Sequence, residues 1–233
     1  MIRKYFAIIP ARSGSKGIKD KNIIPFNGLP LLCHSLKAAA ESSLLSGYCL
    51  WTDSPEYKRL AAQHCKLGVD FGLRTQFIDD HALDWQHMLD LSARLEMRKI
   101  ECDALVLVRP TSPNRPSDLI DKCIMEFDKS WDHYDSLRTV SPAPETPFKM
   151  WFEYEDKNGR RVGDPISTYL TDKQDAHSMP RQLLREVWWQ NAAIDIVKLS
   201  VIKNKSSAGN RVLLFKMGDN VLDIDTLKDL EKD

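Results

Sequence analysis

A short apolar run from Tyr5 to Pro10 opens directly into Ala11-Arg12-Ser13-Gly14-Ser15-Lys16-Gly17-Ile18-Lys19-Asp20-Lys21-Asn22, and this junction constrains the fold more than any other segment. A buried strand that ends in a loop rich in glycine and lysine is suited to polyanions. Glycine lets the backbone approach a ligand closely, and successive N–H groups in such a turn form an anion-binding concavity. Arg12, Lys16 and Lys21 then supply charge that the backbone cannot. The same residues also suit a solvated basic turn between a strand and a helix. The loop has neither the G-x-x-x-x-G-K-[ST] order of a P-loop nor a G-x-G-x-x-G, so it is not the signature of an ordinary NTPase or of a dinucleotide site.

Strand and helix signals alternate through the front two-thirds of the chain. Helical spacing of Leu32, Leu36, Ala39 and Ala40 predicts a helix from Leu31 to Ser43, with Pro30 at its start. Tyr48 to Thr52 reads as a strand that ends at Asp53-Ser54-Pro55, and this tripeptide caps a helix through about Cys65. Asp84 to Met97 is a further helix. Ala104 to Val108 is almost purely apolar, as in a strand buried on both faces of a parallel sheet. It stops at Arg109-Pro110-Thr111-Ser112-Pro113-Asn114-Arg115-Pro116, and a helix follows from Ser117 to Phe127. This alternation predicts an α/β fold with a doubly wound, mostly parallel sheet, whose ligands sit beyond the carboxyl ends of the strands. From about 141 to 190 the pattern breaks into prolines, an Asn158-Gly159 turn and short aromatic runs, which reads as an inserted lobe. Strands return at Ala193 to Val197 and Val212 to Phe215, and a capped helix is expected from about Thr226.

Size and charge limit the function further. A chain of 233 residues suits a single domain spanning 1–233 that carries the lobe. Lys plus Arg and Asp plus Glu each total 33, a formal net charge of zero, so no global field points to nucleic acid or a membrane surface. No apolar run approaches the roughly 20 residues needed to span a bilayer, and Met1 to Lys4 leads into a strand rather than a signal peptide. Five cysteines without C-x-x-C spacing read as reduced thiols of a cytoplasmic protein.

The segment I-P-A-R-S-G-S-K-G-I-x-x-K-N resembles the opening motif of the acylneuraminate cytidylyltransferases, the CMP-sialic acid synthetases. The resemblance implies a Rossmann-like nucleotidyltransferase that moves CMP from CTP to the anomeric hydroxyl of a nonulosonic sugar acid and releases pyrophosphate. It assigns Arg12, Lys16 and Lys21 to the triphosphate and Asn22 to the cytosine, with Ala11 and Ser15 also binding the nucleotide. It also assigns Arg74 to the base, although Arg74 read alone suits a surface side chain and Thr75 departs from the family's usual Pro. Asp223-Ile224-Asp225 places two carboxylates on one face of an extended segment, where both can reach one ion. The same Asp225 is a good helix N-cap, and the family's closing motif makes the pair a Mg²⁺ site. Arg12, Lys16, Asp223 and Asp225 are thus the catalytic candidates, and Asp223 is also a candidate acceptor for the hydroxyl proton.

Thr111 and Ser112 lie in a P-T-S-P-x-R turn that resembles the family's wall between nucleotide and sugar. Arg109 replaces the Gln common in relatives, either to meet another carboxylate or ring substituent or to face solvent. Lys149, Arg181 and Gln182 resemble the family's P-x-K and P-R-Q acceptor segments, and Asn191-Ala192 stands where N-G is common. Asp195 stands where an aromatic residue is usual. These departures gather at the acceptor end and leave the nucleotide end intact. The resemblance further implies a homodimer formed through the 141–190 lobe. The alternatives are a nucleotidyltransferase for another acceptor, such as an eight-carbon ulosonate, and a non-catalytic CTP-binding homologue. The six histidines are dispersed and read as surface or helix residues.

Overall fold

The structure, a computed structural model, describes residues 3–14, 17–76, 82–218, 221–226 and 228–229. In chain order the elements are β1 (Tyr5–Pro10), β2 (Pro25–Phe26), β3 (Leu29–Pro30), α1 (Leu31–Glu41), β4 (Leu45–Trp51), α2 (Pro55–Ala62), α3 (Asp84–Met97), β5 (Ala104–Leu107), α4 (Leu119–Lys129) and β6 (Ser136–Pro142). Then come β7 (Trp151–Glu155), β8 (Arg161–Pro165), α5 (Ser167–Leu170), β9 (Trp188–Lys198), α6 (Leu199–Lys203) and β10 (Val212–Lys216).

Six strands form the main sheet in the order β10-β6-β9-β5-β1-β4. β1 runs parallel to β4 and β5, and β10 runs parallel to β6, whereas β9 is antiparallel to β5. The expected mostly parallel α/β sheet is present, with β9 running against β5. Alternation along β1 explains the double winding, because successive side chains of a strand point to opposite faces. Tyr5, Ala7 and Ile9 pack with Leu32 and Leu36 of α1 and with Ile120, Cys123 and Phe127 of α4. Phe6 and Ile8 pack on the other face with Met88, Leu91 and Leu95 of α3 and with Val201 and Ile202 of α6. Both faces of β1 and β5 are thus covered, which is why these strands read as unbroken apolar runs.

Two local expectations change. The helix after β4 ends at Ala62, short of Cys65, and its cap is Ser54, whose Oγ accepts from the Tyr57 amide at 3.2 Å. Asp53 does not cap it; its carboxylate holds the basic loop instead, accepting from the Ser13 amide at 2.9 Å and the Ser13 hydroxyl at 2.8 Å. The helix after β5 begins at Leu119 and runs to Lys129. The helix expected from Thr226 lies largely outside the described residues.

Two compact units are present, residues 1–140 with 191–233, and residues 141–190. The second contains the β7–β8 hairpin, paired from Trp151↔Pro165 to Glu155↔Arg161. Its turn is closed by the Asp156 carboxylate, which accepts from the amides of Asn158 and Arg160. Trp151, Phe152, Tyr154 and Tyr169 of this unit are exposed. Among the described residues no helix is long and apolar enough to cross a membrane.

Candidate active site

In the first unit, a cleft of about 500 Å³ is lined by Pro10, Arg12, Gly17, Lys21, Asn22, Arg74, Asp84, His87, Arg109 and Asp225. Pro10 ends β1, and Arg109 lies two residues past the end of β5. The backbone N–H of Arg74 donates to the carbonyl of Thr52, just past β4, at 2.9 Å. The cleft thus opens at the carboxyl ends of three parallel strands, the usual place for a ligand in such a sheet.

The basic loop is braced from several sides. Besides Asp53 on Ser13, the Asn22 side-chain amide donates to the Arg12 carbonyl at 2.9 Å, and the Tyr57 hydroxyl donates to Asp20 at 2.9 Å. Asn22 is itself buried, so in this structure it fixes the loop while lining the cleft. Arg12 donates to the Gly14 carbonyl at 3.3 Å. Ser15 and Lys16 lie outside the described residues. Lys21 reaches across to Asp225, with Nζ 2.7 Å from Oδ1. At Gly17 a Cβ would sit 3.1 Å from the Asp225 carbonyl, so the absence of a side chain lets the basic loop and the acidic segment lie backbone to backbone.

The acidic segment is pinned at its centre. Ile224 is fully buried, packs with Ile18, Phe26 and Leu31, and donates its amide to the Thr111 carbonyl at 2.8 Å. Asp223 and Asp225 flank it. Asp223 is bonded by the Thr111 side chain, yet its Oδ1 is buried with no partner among the described residues. Burial, with Asp225 close by, pushes the Asp223 carboxyl above the usual carboxylate range, and Thr111, Lys21 and Arg109 act against that shift. A buried orphan acceptor is costly, and a divalent cation would satisfy it. No group of three or more His, Cys, Asp and Glu among the described residues could hold a metal. Asp223 and Asp225 offer two carboxylates on one short segment, and Mg²⁺ is usually held by one or two carboxylates completed by water and phosphate oxygens. These residues fit Mg²⁺.

At the other wall Arg74 is buried, not a surface side chain, and its Nη1 lies 3.1 Å from Nδ1 of His87. Burial, then the nearby Arg74 guanidinium, lowers the His87 pKa to about 4. Sequence reasoning passed over His87 because nothing local marks it. The available signal was its i, i+3 spacing from Asp84 on a helix whose buried positions include Met88 and Leu91.

Arg109 is turned neither to solvent nor to an open position. Its guanidinium meets Asp84 through Nη1–Oδ1 at 3.3 Å and Nη2–Oδ2 at 2.6 Å, and Nη2 lies 3.3 Å from Asp195. Asp195 is fully buried and also pairs with Nη1 of Arg138 at 2.5 Å. Burial opposes charge on Asp84, and Arg109 outweighs it to hold that carboxyl below its ordinary range. Beneath, the buried Arg115 donates to Ser35, at 2.9 Å, and to the Arg109 carbonyl.

Two of the expected acceptor residues are buried within the fold. Ser112 is fully buried and does not line the cleft. Asn191 is also fully buried, with Oδ1 accepting from the Ala193 amide at 3.2 Å and Nδ2 turned to Met217 Sδ at 3.5 Å. Its side chain holds the chain around Ala192, which adopts a left-handed φ of 57°. Lys149, Arg181 and Gln182 are exposed on short turns of the second unit, and Arg181 is paired there with Glu145.

Residues 6–140 match the cytidylyltransferase family model. The chain is 30% identical over 97% of its length to an N-acylneuraminate cytidylyltransferase of Streptococcus agalactiae, of which it covers 51%. It spans about half the length of that relative. It is 29% identical to the CMP-N,N'-diacetyllegionaminic acid synthase of Legionella pneumophila, covering 96% of this chain and 91% of that one. The fold is similar to that of a CMP:2-keto-3-deoxy-manno-octonic acid synthetase complexed with CTP, with a TM-score of 0.68 over 98% of this chain and 96% of the other at 15% identity. Together with the basic loop and the acidic segment that faces it, the match over residues 6–140 establishes that the chain belongs to the cytidylyltransferase family.

Proposed function

We propose that the chain transfers CMP from CTP to the anomeric hydroxyl of a nine-carbon, sialic-acid-like 2-keto sugar acid, releasing pyrophosphate in a Mg²⁺-dependent step. The observation that carries this reading is the opposition of a basic loop and an Asp-x-Asp segment across one cleft, with Lys21 on Asp225 and an unpartnered buried oxygen on Asp223. The named relatives act on sugar acids of this kind, which supports the acceptor class.

Arg12, Lys16 and Lys21 hold the triphosphate, Arg12 through a planar fork and the lysines as point charges. Asn22 and Arg74 face the pyrimidine. Thr111 positions Asp223, and Ile224 anchors the segment that carries both carboxylates. Asp223 and Asp225 would hold Mg²⁺, which when bound would supply neutralisation of the charge that develops on the phosphates during transfer. Arg109 presents a fixed, carboxylate-paired guanidinium to the acceptor. Positioning and charge neutralisation supply most of the rate in such transfers. Pairing of two copies through the second unit, supported by its exposed Trp151, Phe152, Tyr154 and Tyr169, completes the proposal.

The test is turnover of Asp225→Ala with CTP, Mg²⁺ and a nonulosonic acid. Asp225 is exposed, and its ion pair with Lys21 contributes at most about 1 kcal/mol, so the variant should fold normally and lose turnover. Near-normal turnover with Mg²⁺ would reject the metal assignment.

A further inference from the structure

Asp84 and His87 stand one turn apart at the start of α3, and both line the cleft. A guanidinium can only donate, so at 3.1 Å Nδ1 of His87 accepts from Arg74 and the ring carries its proton on Nε2. The imidazole is thus neutral in its present role, in line with its lowered pKa. Among the described residues Arg74 has no carboxylate within ion-pair distance, Asp53 acting on it only as a more distant charge, and its Nε is buried without a hydrogen-bond partner. Arg109 offers the contrast, since two carboxylates spend its charge within the fold. A neutral acceptor fixes a guanidinium's direction and leaves its full positive charge for a ligand. A long cation ordered before binding loses less entropy when the ligand arrives.

We propose that His87 is the positioning residue for Arg74, holding its guanidinium towards the pyrimidine of bound CTP through a neutral Nδ1 acceptor. This rests on the cytidylyl-transfer reading.

The experiment is calorimetric CTP binding to the full chain carrying His87→Phe or His87→Asn, each with Arg74 present and with Arg74→Ala. His87→Phe should weaken CTP binding about tenfold, the loss expected for one hydrogen bond to a charged group. His87→Asn should stay within about twofold, because the amide oxygen can take the place of Nδ1. On Arg74→Ala, His87→Phe should add no further loss. If melting shows that His87→Phe is unfolded, His87→Ala takes its place in the same cycle. Equal losses in the Phe and Asn variants, or the same loss without Arg74, would overturn the inference. So would unchanged binding in His87→Phe while the unmodified chain binds CTP, and that result leaves the proposed function standing. No CTP binding by the unmodified chain would overturn both.

Discussion

Asp195→Ala should be one of the most destabilising single changes in the first unit. The carboxylate is fully buried between Arg109 Nη2 at 3.3 Å and Arg138 Nη1 at 2.5 Å. Arg138 is itself almost entirely buried. Removing one member of a buried ion network costs about 3–5 kcal/mol, because the charge left behind is neither paired nor hydrated. Arg109 retains Asp84 at 2.6 Å, and Arg138 retains the Ser207 carbonyl. These remaining partners put the expected loss at the low end, about 3 kcal/mol. For a chain of this size that corresponds to about 10 °C in the melting midpoint. Urea titration followed by both fluorescence and circular dichroism measures it. A second change, Arg138→Met, made on top of Asp195→Ala should recover part of the loss by removing the stranded charge. A loss under about 1 kcal/mol, or no recovery with Arg138→Met, would refute the claim that these buried charges depend on one another.

Other outcomes follow from single positions. Ala192 holds a φ of 57°, a conformation that costs an L residue about 1 kcal/mol, so Ala192→Gly should stabilise the chain by about that amount in the same titration. Gly68 has a φ of 74°, and a Cβ there would meet the Tyr48 carbonyl at 2.1 Å. Gly68→Ala should therefore destabilise by more than about 1 kcal/mol, seen as a lower melting midpoint. The folded chain holds the His87 pKa at about 4, below its ordinary 6.5, so between these values the unfolded chain binds more protons. Stability should fall as the pH drops through that window. The charged groups acting on the ring are Arg74 and Arg109 from neighbouring segments and Asp84 and Asp90 from its own helix. His87→Asn should flatten that part of the stability profile, and an unchanged profile would count against the assignment.

Much of the fold was legible because its strands are apolar on both faces. Tyr5 to Pro10 and Ala104 to Leu107 have no polar position to hide, and α3 shows its bounds through clear helical spacing. The reversal of β9 was not legible, since an apolar run such as Ala193 to Val197 carries no record of its direction. In the cleft, the basic loop and the Asp223/Asp225 pair could be found because their chemistry is contiguous in sequence. Of the wall formed by Arg74, Asp84, His87 and Arg109, the family resemblance marked Arg74 and Arg109, whereas Asp84 and His87 went unmarked because the wall comes from three segments that only folding brings together. Asp195 stood out as a departure from the family pattern, yet its partners Arg109 and Arg138 were invisible without the sheet that aligns them. Asp53 showed the opposite failure. Its position before Ser54-Pro55 suits a cap, and a tertiary bond to Ser13 took precedence over that local preference.

The most direct test of the central claim is pyrophosphate release from CTP with Mg²⁺ and a panel of N-acetylneuraminate, legionaminate, pseudaminate and a deoxy-octulosonate. Cytidylyl transfer to a nine-carbon acid predicts release with at least one of the first three, abolished when the divalent ion is chelated. Release with the octulosonate alone, or CTP binding without release from any acceptor, would contradict it.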